Sequence, residues 1–188
     1  MKICIDPGHG GSDPGAIGTQ PFPLEEKDFN LSLALLLEEE LESGEYWTIM
    51  TRRRDRSLSR AARADFSNRL EADLFVSIHA NAAKTPTVEG IEVYCFPGSA
   101  TGQNAATQVL NEMITMFPDH RNRGVKEANL DVLRLTEMTA ILIENEFLTH
   151  PAQLEFLADP RNQRNLALAI TAGINAFGGS KRGKSRRG

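Results

Sequence analysis

A chain of 188 residues is long enough for one ordinary globular domain and short for two. With 40% hydrophobic and 24% charged residues it is not a disordered chain, and its longest apolar run, Leu31 to Leu37, contains a serine and is far too short to span a membrane. The net charge of −4 and the 6% aromatic content exclude a polyanion-binding, base-stacking protein, and two cysteines supply neither a disulfide scaffold nor a four-thiolate zinc site.

The first predicted strand runs from Lys2 to Asp6, with Cys4 between isoleucines as a buried, reduced thiol. No secretory signal precedes it, because the chain passes from Met1 and Lys2 directly into ICID. The chain is therefore expected to be cytoplasmic at synthesis, exported by another route, or a mature form with its leader removed. The following glycines are not a phosphate loop, since Pro7 interrupts the turn and no lysine stands at the required spacing. A helix is predicted over Lys27–Glu42 and a strand over Trp47–Arg52. The arginine-rich stretch from Arg52 to Arg63, interspersed with Asp55 and followed by Asp65, reads as a solvated loop and face of a helix over Ser59–Glu71.

Strands follow at Leu74–His79 and Gly90–Phe96, where Cys95 alternates in phase with Ile91 and Val93 as a second buried thiol. A helix over Thr101–Phe117 leads into a polar loop that leaves His120 in solvent. The last two predicted strands are Asp131–Leu135 and Ala140–Asn145, and His150 opens a helix over Pro151–Ala158. Asp159 then caps, and Pro160 starts, a helix to Phe177 with Leu166, Ile170, Ile174 and Phe177 on one face. Residues 178–188, GGSKRGKSRRG, form a basic flexible tail, which leaves residues 1–177 with 16 basic against 25 acidic side chains. Strands interleaved with helices give an α/β fold: a single domain over 1–177 with a mainly parallel, twisted sheet of about six strands and helices on both faces.

In open α/β sheets ligands bind beyond the carboxyl ends of the strands. His9 follows the first strand, His79 ends the third and Glu144 lies at the end of the last, so two of only four histidines and a carboxylate converge on one rim. Two imidazoles need a third ligand to hold a catalytic metal, and two histidines with a glutamate are a common zinc set. Glu25 and Glu26 are the candidates. Glu26 lines up with Phe29, Asn30, Leu33, Leu36 and Leu37 on an apolar face, whereas Glu25 lines up with Asp28 and Ser32 on a wetter one. Helical spacing therefore selects Glu26.

DPGHGGSDPGA, EKDFNLSLA, SIHANAA and ILIENEF resemble the ordered motifs of zinc-dependent N-acetylmuramoyl-L-alanine amidases, from Ile3 to about Phe147. These peptidoglycan hydrolases cut the amide between the muramic acid lactyl group and L-alanine. The resemblance implies one zinc per chain on His9, Glu26 and His79, Glu144 as the catalytic carboxylate, and no organic cofactor. It implies peptidoglycan as partner, with no nucleic acid and no membrane insertion, a monomer, and a lytic role as endolysin or autolysin. Glu146 stands where the family expects glycine, and Thr139 where proline is common. On a regular strand Glu146 shares a face with Glu144, which sets two acids near the site; the motif assigns the role to Glu144. The other functional classes open to such a ligand set are a zinc carboxypeptidase or aminopeptidase, and a wall-binding module with impaired catalysis. A peptidase needs an arginine or acid for a free terminus, which no spacing here identifies.

Overall fold

The computed structural model describes residues 1–44 and 46–185. The amino-terminal half forms β1 (Lys2–Pro7), β2 (Ile17–Gly18), β3 (Leu24–Glu25), α1 (Glu26–Ser43), β4 (Trp47–Met50) and α2 (Arg60–Arg69). Then come β5 (Leu74–Asn81), β6 (Ile91–Cys95), α3 (Ala100–Met116), β7 (Asn122–Glu127) and α4 (Asp131–Arg134). The chain closes with β8 (Thr139–Phe147), α5 (Pro151–Ala158) and α6 (Pro160–Ser185).

Six strands make one sheet in the order β4-β1-β5-β8-β6-β7, and β2 pairs with β3 in a small hairpin. β4, β1, β5 and β8 are parallel, while β6 runs antiparallel to β8 and carries β7 beside it in parallel. The mainly parallel α/β fold expected from the sequence is thus present, with helices on both faces. Alternation along the strands explains the two layers. Ile3, Ile5, Val76, Ile78, Ile141 and Ile143 pack against α1, α3 and α6 in the main core. Cys4, Phe75, Ala140 and Leu142 point the other way, into a smaller core with Phe66 of α2 and Val132 and Leu133 of α4. Both cysteines are buried and free, as their positions between apolar neighbours imply.

Three elements differ from the sequence reading. Asp131–Leu135 is no strand: it is the short helix α4 and its cap, because five residues cannot separate a strand from a single turn by periodicity. The sixth strand is instead Asn122–Glu127, read above as polar loop. It lies at the sheet edge with one neighbour, so Val125 is the only apolar side chain it needs. Helix α6 continues past Phe177 to Ser185, so the first part of the predicted tail extends a helix that no proline interrupts after Pro160. Residues 186–188 lie outside the described residues.

Candidate active site

The first rim segment is set by buried arginines. Arg52 and Arg63, read from the sequence as solvated, are 1% and 4% exposed. Arg52 donates from Nε to the Pro7 carbonyl at 2.9 Å and from Nη2 to those of Gly8 at 2.9 Å and Lys27 at 2.8 Å. Arg63 donates from Nη1 to Asp6 Oδ1 at 2.8 Å and the Pro7 carbonyl at 2.7 Å, and from Nη2 to the His9 carbonyl at 2.6 Å. Asp6 is fully buried and also accepts from Thr51 at 2.6 Å and Ser77 at 2.9 Å. A buried charge is tolerated when it is paired and hydrogen-bonded, and here the pairing fixes the turn that carries His9. Composition alone hides this, because an arginine on a polar helix looks the same whether it points out or under a loop.

His9, Glu26 and His79 meet at the carboxyl ends of β1 and β5 and the first turn of α1, with one nitrogen or oxygen from each within 4.8 Å of the others. His9 Nε2 lies 3.2 Å from Glu26 Oε2, and His79 Nδ1 lies 2.8 Å from Glu26 Oε1. Glu26 is nearly buried, and its carboxylate also accepts from the Ala16 amide at 2.8 Å, the Ala80 amide at 3.2 Å and Asn30 Nδ2 at 3.3 Å. Asn30 follows Glu26 by one helical turn on the face identified above. Glu25 turns away, 40% exposed and 3.1 Å from Lys27. His9 Nδ1 is held 2.9 Å from Asp13 Oδ2, which leaves Nε2 facing Glu26. The sequence reading missed Asp13, although a carboxylate four residues from a candidate ligand was its available signal.

Two glycines permit this approach. A Cβ on Gly8 would stand 2.2 Å from the His79 ring, and one on Gly15 would stand 2.5 Å from Glu26 Oε2 and 2.7 Å from the His9 ring. Gly15 also has φ +68°, which disfavours any side chain. Burial alone would raise the Glu26 carboxyl, yet hydrogen bonds and charge from His79 and His9 hold it well below the usual carboxylate range. Burial alone would depress His9, and Glu26 and Asp13 together reverse that and raise it. Two imidazoles and one carboxylate, close enough to share a small cation, fit a divalent metal with borderline ligand preference.

Glu144 stands on β8 as the register partner of His79 on β5, and Glu92 on β6 is its partner on the other side. It is partly buried, and its Oε2 has no hydrogen-bond partner among the described residues. Burial and the nearby charges of Glu26 and Glu92 push its carboxyl well above the ordinary value, against the pull of Lys126. Glu92, missed by the sequence reading, accepts from Asn81 at 3.0 Å, Tyr94 at 2.7 Å and Arg123 at 2.5 Å, and pairs with Lys126. A cavity of about 560 Å³ opens between Glu144, His79 and His9 and the first residues of α2 and α4.

Glu146 does not share that cavity. The register slips by one residue between the His79–Glu144 and Asn81–Phe147 pairs, so the strand carries Glu146 to the opposite face. There it is fully buried, accepting from the Gly90 amide at 2.6 Å and lying 2.9 Å from His120 Nδ1. His120 is therefore not a solvated loop residue; it packs edge-on against Phe117 and at a tilt against Phe156. His150 caps α5 by accepting from the Gln153 amide at 3.4 Å, as its position implied.

Residues 3–176 match the family described as N-acetylmuramoyl-L-alanine amidase. The chain belongs to this family. It is 37% identical over 185 residues to the amidase CwlM of Bacillus licheniformis, covering 96% of this chain and 70% of that protein. It is 32% identical to the amidase AmiC of Neisseria meningitidis, covering 93% of this chain but 52% of that longer protein. The crystal structure of the amidase from Clostridium difficile 630 superposes with a TM-score of 0.92 at 35% identity, over 96% of this chain and 97% of that one. Within this fold the amidase places both imidazoles, both acids and the cavity at one rim.

Proposed function

We propose that this amidase works through one zinc ion held by His9, Glu26 and His79, with Glu144 as the proton-transferring carboxylate. The chain is a hydrolase of the peptidoglycan amidase family, and the reaction is cleavage of the amide between N-acetylmuramic acid and L-alanine. The observation that carries the metal reading is the convergence of three candidate ligand atoms, from the loop after β1, from α1 and from β5, beside an open cavity. A zinc ion there supplies a bound water acidified to a pKa of about 7 and a Lewis acid for the scissile carbonyl. Glu144 accepts the proton of the attacking water and delivers it to the departing alanine nitrogen, which leaves poorly as an anion. Its raised affinity for a proton suits the second half of that task. Asp13 keeps the His9 ring in one orientation, and Asn30 with two backbone amides does the same for Glu26.

No described helix is long and apolar enough to cross a membrane. The catalytic unit in this reading is residues 1–177, because Phe177 is the last core residue among those described, and it acts on the wall as a monomer. The same unit serves a lytic enzyme released from the cell or a secreted autolysin. Incubation with purified wall should release free L-alanine amino termini, stop on chelation and resume with added zinc. Release that is indifferent to chelator, or the appearance of free terminal amino acids instead, would replace this reading with another hydrolase.

A further inference from the structure

The cavity has a far wall that the chemistry at the metal triad leaves unused. Its lining there comes from Leu58, Ser59 and Arg60 at the start of α2 and from Leu130, Asp131 and Val132 at the start of α4. Two of the lining residues are cations, and they differ in commitment. Arg63 is buried and spends its guanidinium on Asp6 and three carbonyls. Arg60 has a side chain 75% exposed, and its only ion pair among the described residues is with Asp131 at 3.5 Å. Asp131 is better served by Arg134, at 2.6 Å. An exposed pair as long as Arg60–Asp131 contributes little, so Arg60 can leave it without stranding a charge.

We propose that Arg60 is a specificity-determining residue that reads a free carboxylate on the peptide side of the substrate. The inference rests on the amidase reading above and extends it. The other ionisable groups lining the cavity are the acids Glu144, Asp13, Asp6 and Asp131, the buried and paired Arg63, and the triad histidines His9 and His79, both paired with Glu26. An anionic substrate group lying along this far wall, away from the metal triad, therefore meets one uncommitted cation among the described side chains. In a muramoyl peptide the N-acetylated sugar carries no charge beside the scissile amide, so a nearby anion belongs to the peptide. The planar guanidinium fork matches a carboxylate in two contacts. Leu130, 36% exposed on the same wall, offers apolar cover for the aliphatic part of the stem.

The test compares two soluble muramoyl peptides that differ only in the residue after alanine, with a free α-carboxylate in one and a carboxamide in the other. The zinc-loaded wild type should favour the carboxylate by about tenfold in kcat/KM, the scale of one partly exposed charge-assisted contact. Arg60→Gln should bring that ratio close to one, by raising KM for the carboxylate peptide; Arg60→Lys should keep part of it, and Arg60→Glu should invert it. Added salt should shrink the wild-type preference, because the contact is exposed to solvent. Equal use of both peptides by the wild type, or a preference that survives in Arg60→Gln, overturns the role of Arg60. Cleavage of neither peptide by the zinc-loaded wild type overturns the amidase reading itself, and the inference with it.

Discussion

Replacing Arg63 with methionine isolates the device that fixes the first rim segment. The side chain is 4% exposed and its partner Asp6 is fully buried, so removal leaves a carboxylate that cannot reach water. Breaking a buried ion pair from one side costs roughly 3–5 kcal/mol. Asp6 keeps its bonds from Thr51 and Ser77, and the Pro7 carbonyl keeps Arg52, which moderates the loss. The His9 and Leu58 carbonyls lose this donor, at roughly 1 kcal/mol or more each. These terms place Arg63→Met at about 4 kcal/mol, a large share of a total stability of roughly 5–15 kcal/mol. In urea the midpoint should fall by about 2 M, for a slope near 2 kcal/mol/M. Zinc affinity should fall by roughly 10–100-fold, because the His9 backbone loses its anchor. Arg63→Lys should recover part of the stability. In a cycle with Asp6→Asn the two losses should be strongly non-additive. A loss below about 1 kcal/mol, as for an exposed ion pair, or simple additivity with Asp6→Asn, would refute the assignment of Arg63 as the clamp.

Three further outcomes follow from the site. Glu144→Gln should retain the fold and the metal and lower kcat by about 10²–10⁴-fold, whereas Glu146→Gln should leave kcat near wild type; steady-state kinetics with metal analysis reads both, and the opposite pattern reverses the roles. Glu26→Ala should lose most of its zinc and Glu25→Ala should keep it; equal zinc contents by elemental analysis would remove Glu26 from the ligand set. The metal-free protein should lose thermal stability as pH rises from 6 to 8. His9 is raised above its ordinary value, so its contribution is complete below about 6.5 and disappears as pH climbs through the folded value. Glu26 is lowered, so its contribution holds above about 4.5 and fails only on strong acidification. Glu26→Gln should flatten the melting profile between pH 6 and 8; an equally steep profile would place the dependence elsewhere.

Where a residue's place follows from its position along one element, the sequence displayed it. Glu26 was separable from Glu25 because helical spacing places it with Phe29 and Leu33, both buried in the main core. His79 and Glu144 were legible as strand ends because β5 and β8 are continuous apolar runs, as strands covered on both faces must be. What stayed hidden depends on contacts between distant segments or on a local slip of register. Arg52 and Arg63 reach back more than 40 positions to the Pro7–His9 turn, and nothing in a window around them records that. Glu146 was placed beside Glu144 by strict alternation, and one slip of register between β5 and β8 reversed it. β7 was invisible for a simpler reason: an edge strand with one partly buried apolar side chain has no pattern to read.

His9 has φ +60°, a conformation that costs a non-glycine residue roughly 1–2 kcal/mol. That cost has to be met by the surroundings, and the buried arginines supply the means. Arg63 holds the His9 carbonyl, the Gly10 amide and carbonyl pair with Asp13, and Asp13 in turn holds the His9 ring. The left-handed turn is what aims Nε2 back over the end of β1 toward Glu26, 17 residues later in the chain. The His9 ring stands with its centroid 5.1 Å from that of His79, in an edge-on arrangement. The strain and the placement of the His9 ring are therefore one feature, and the Asp6–Arg63 pair is its support. Rigid placement of this kind is what the proposed metal site requires, since an imidazole free to swing would exchange its position beside the cavity for solvent.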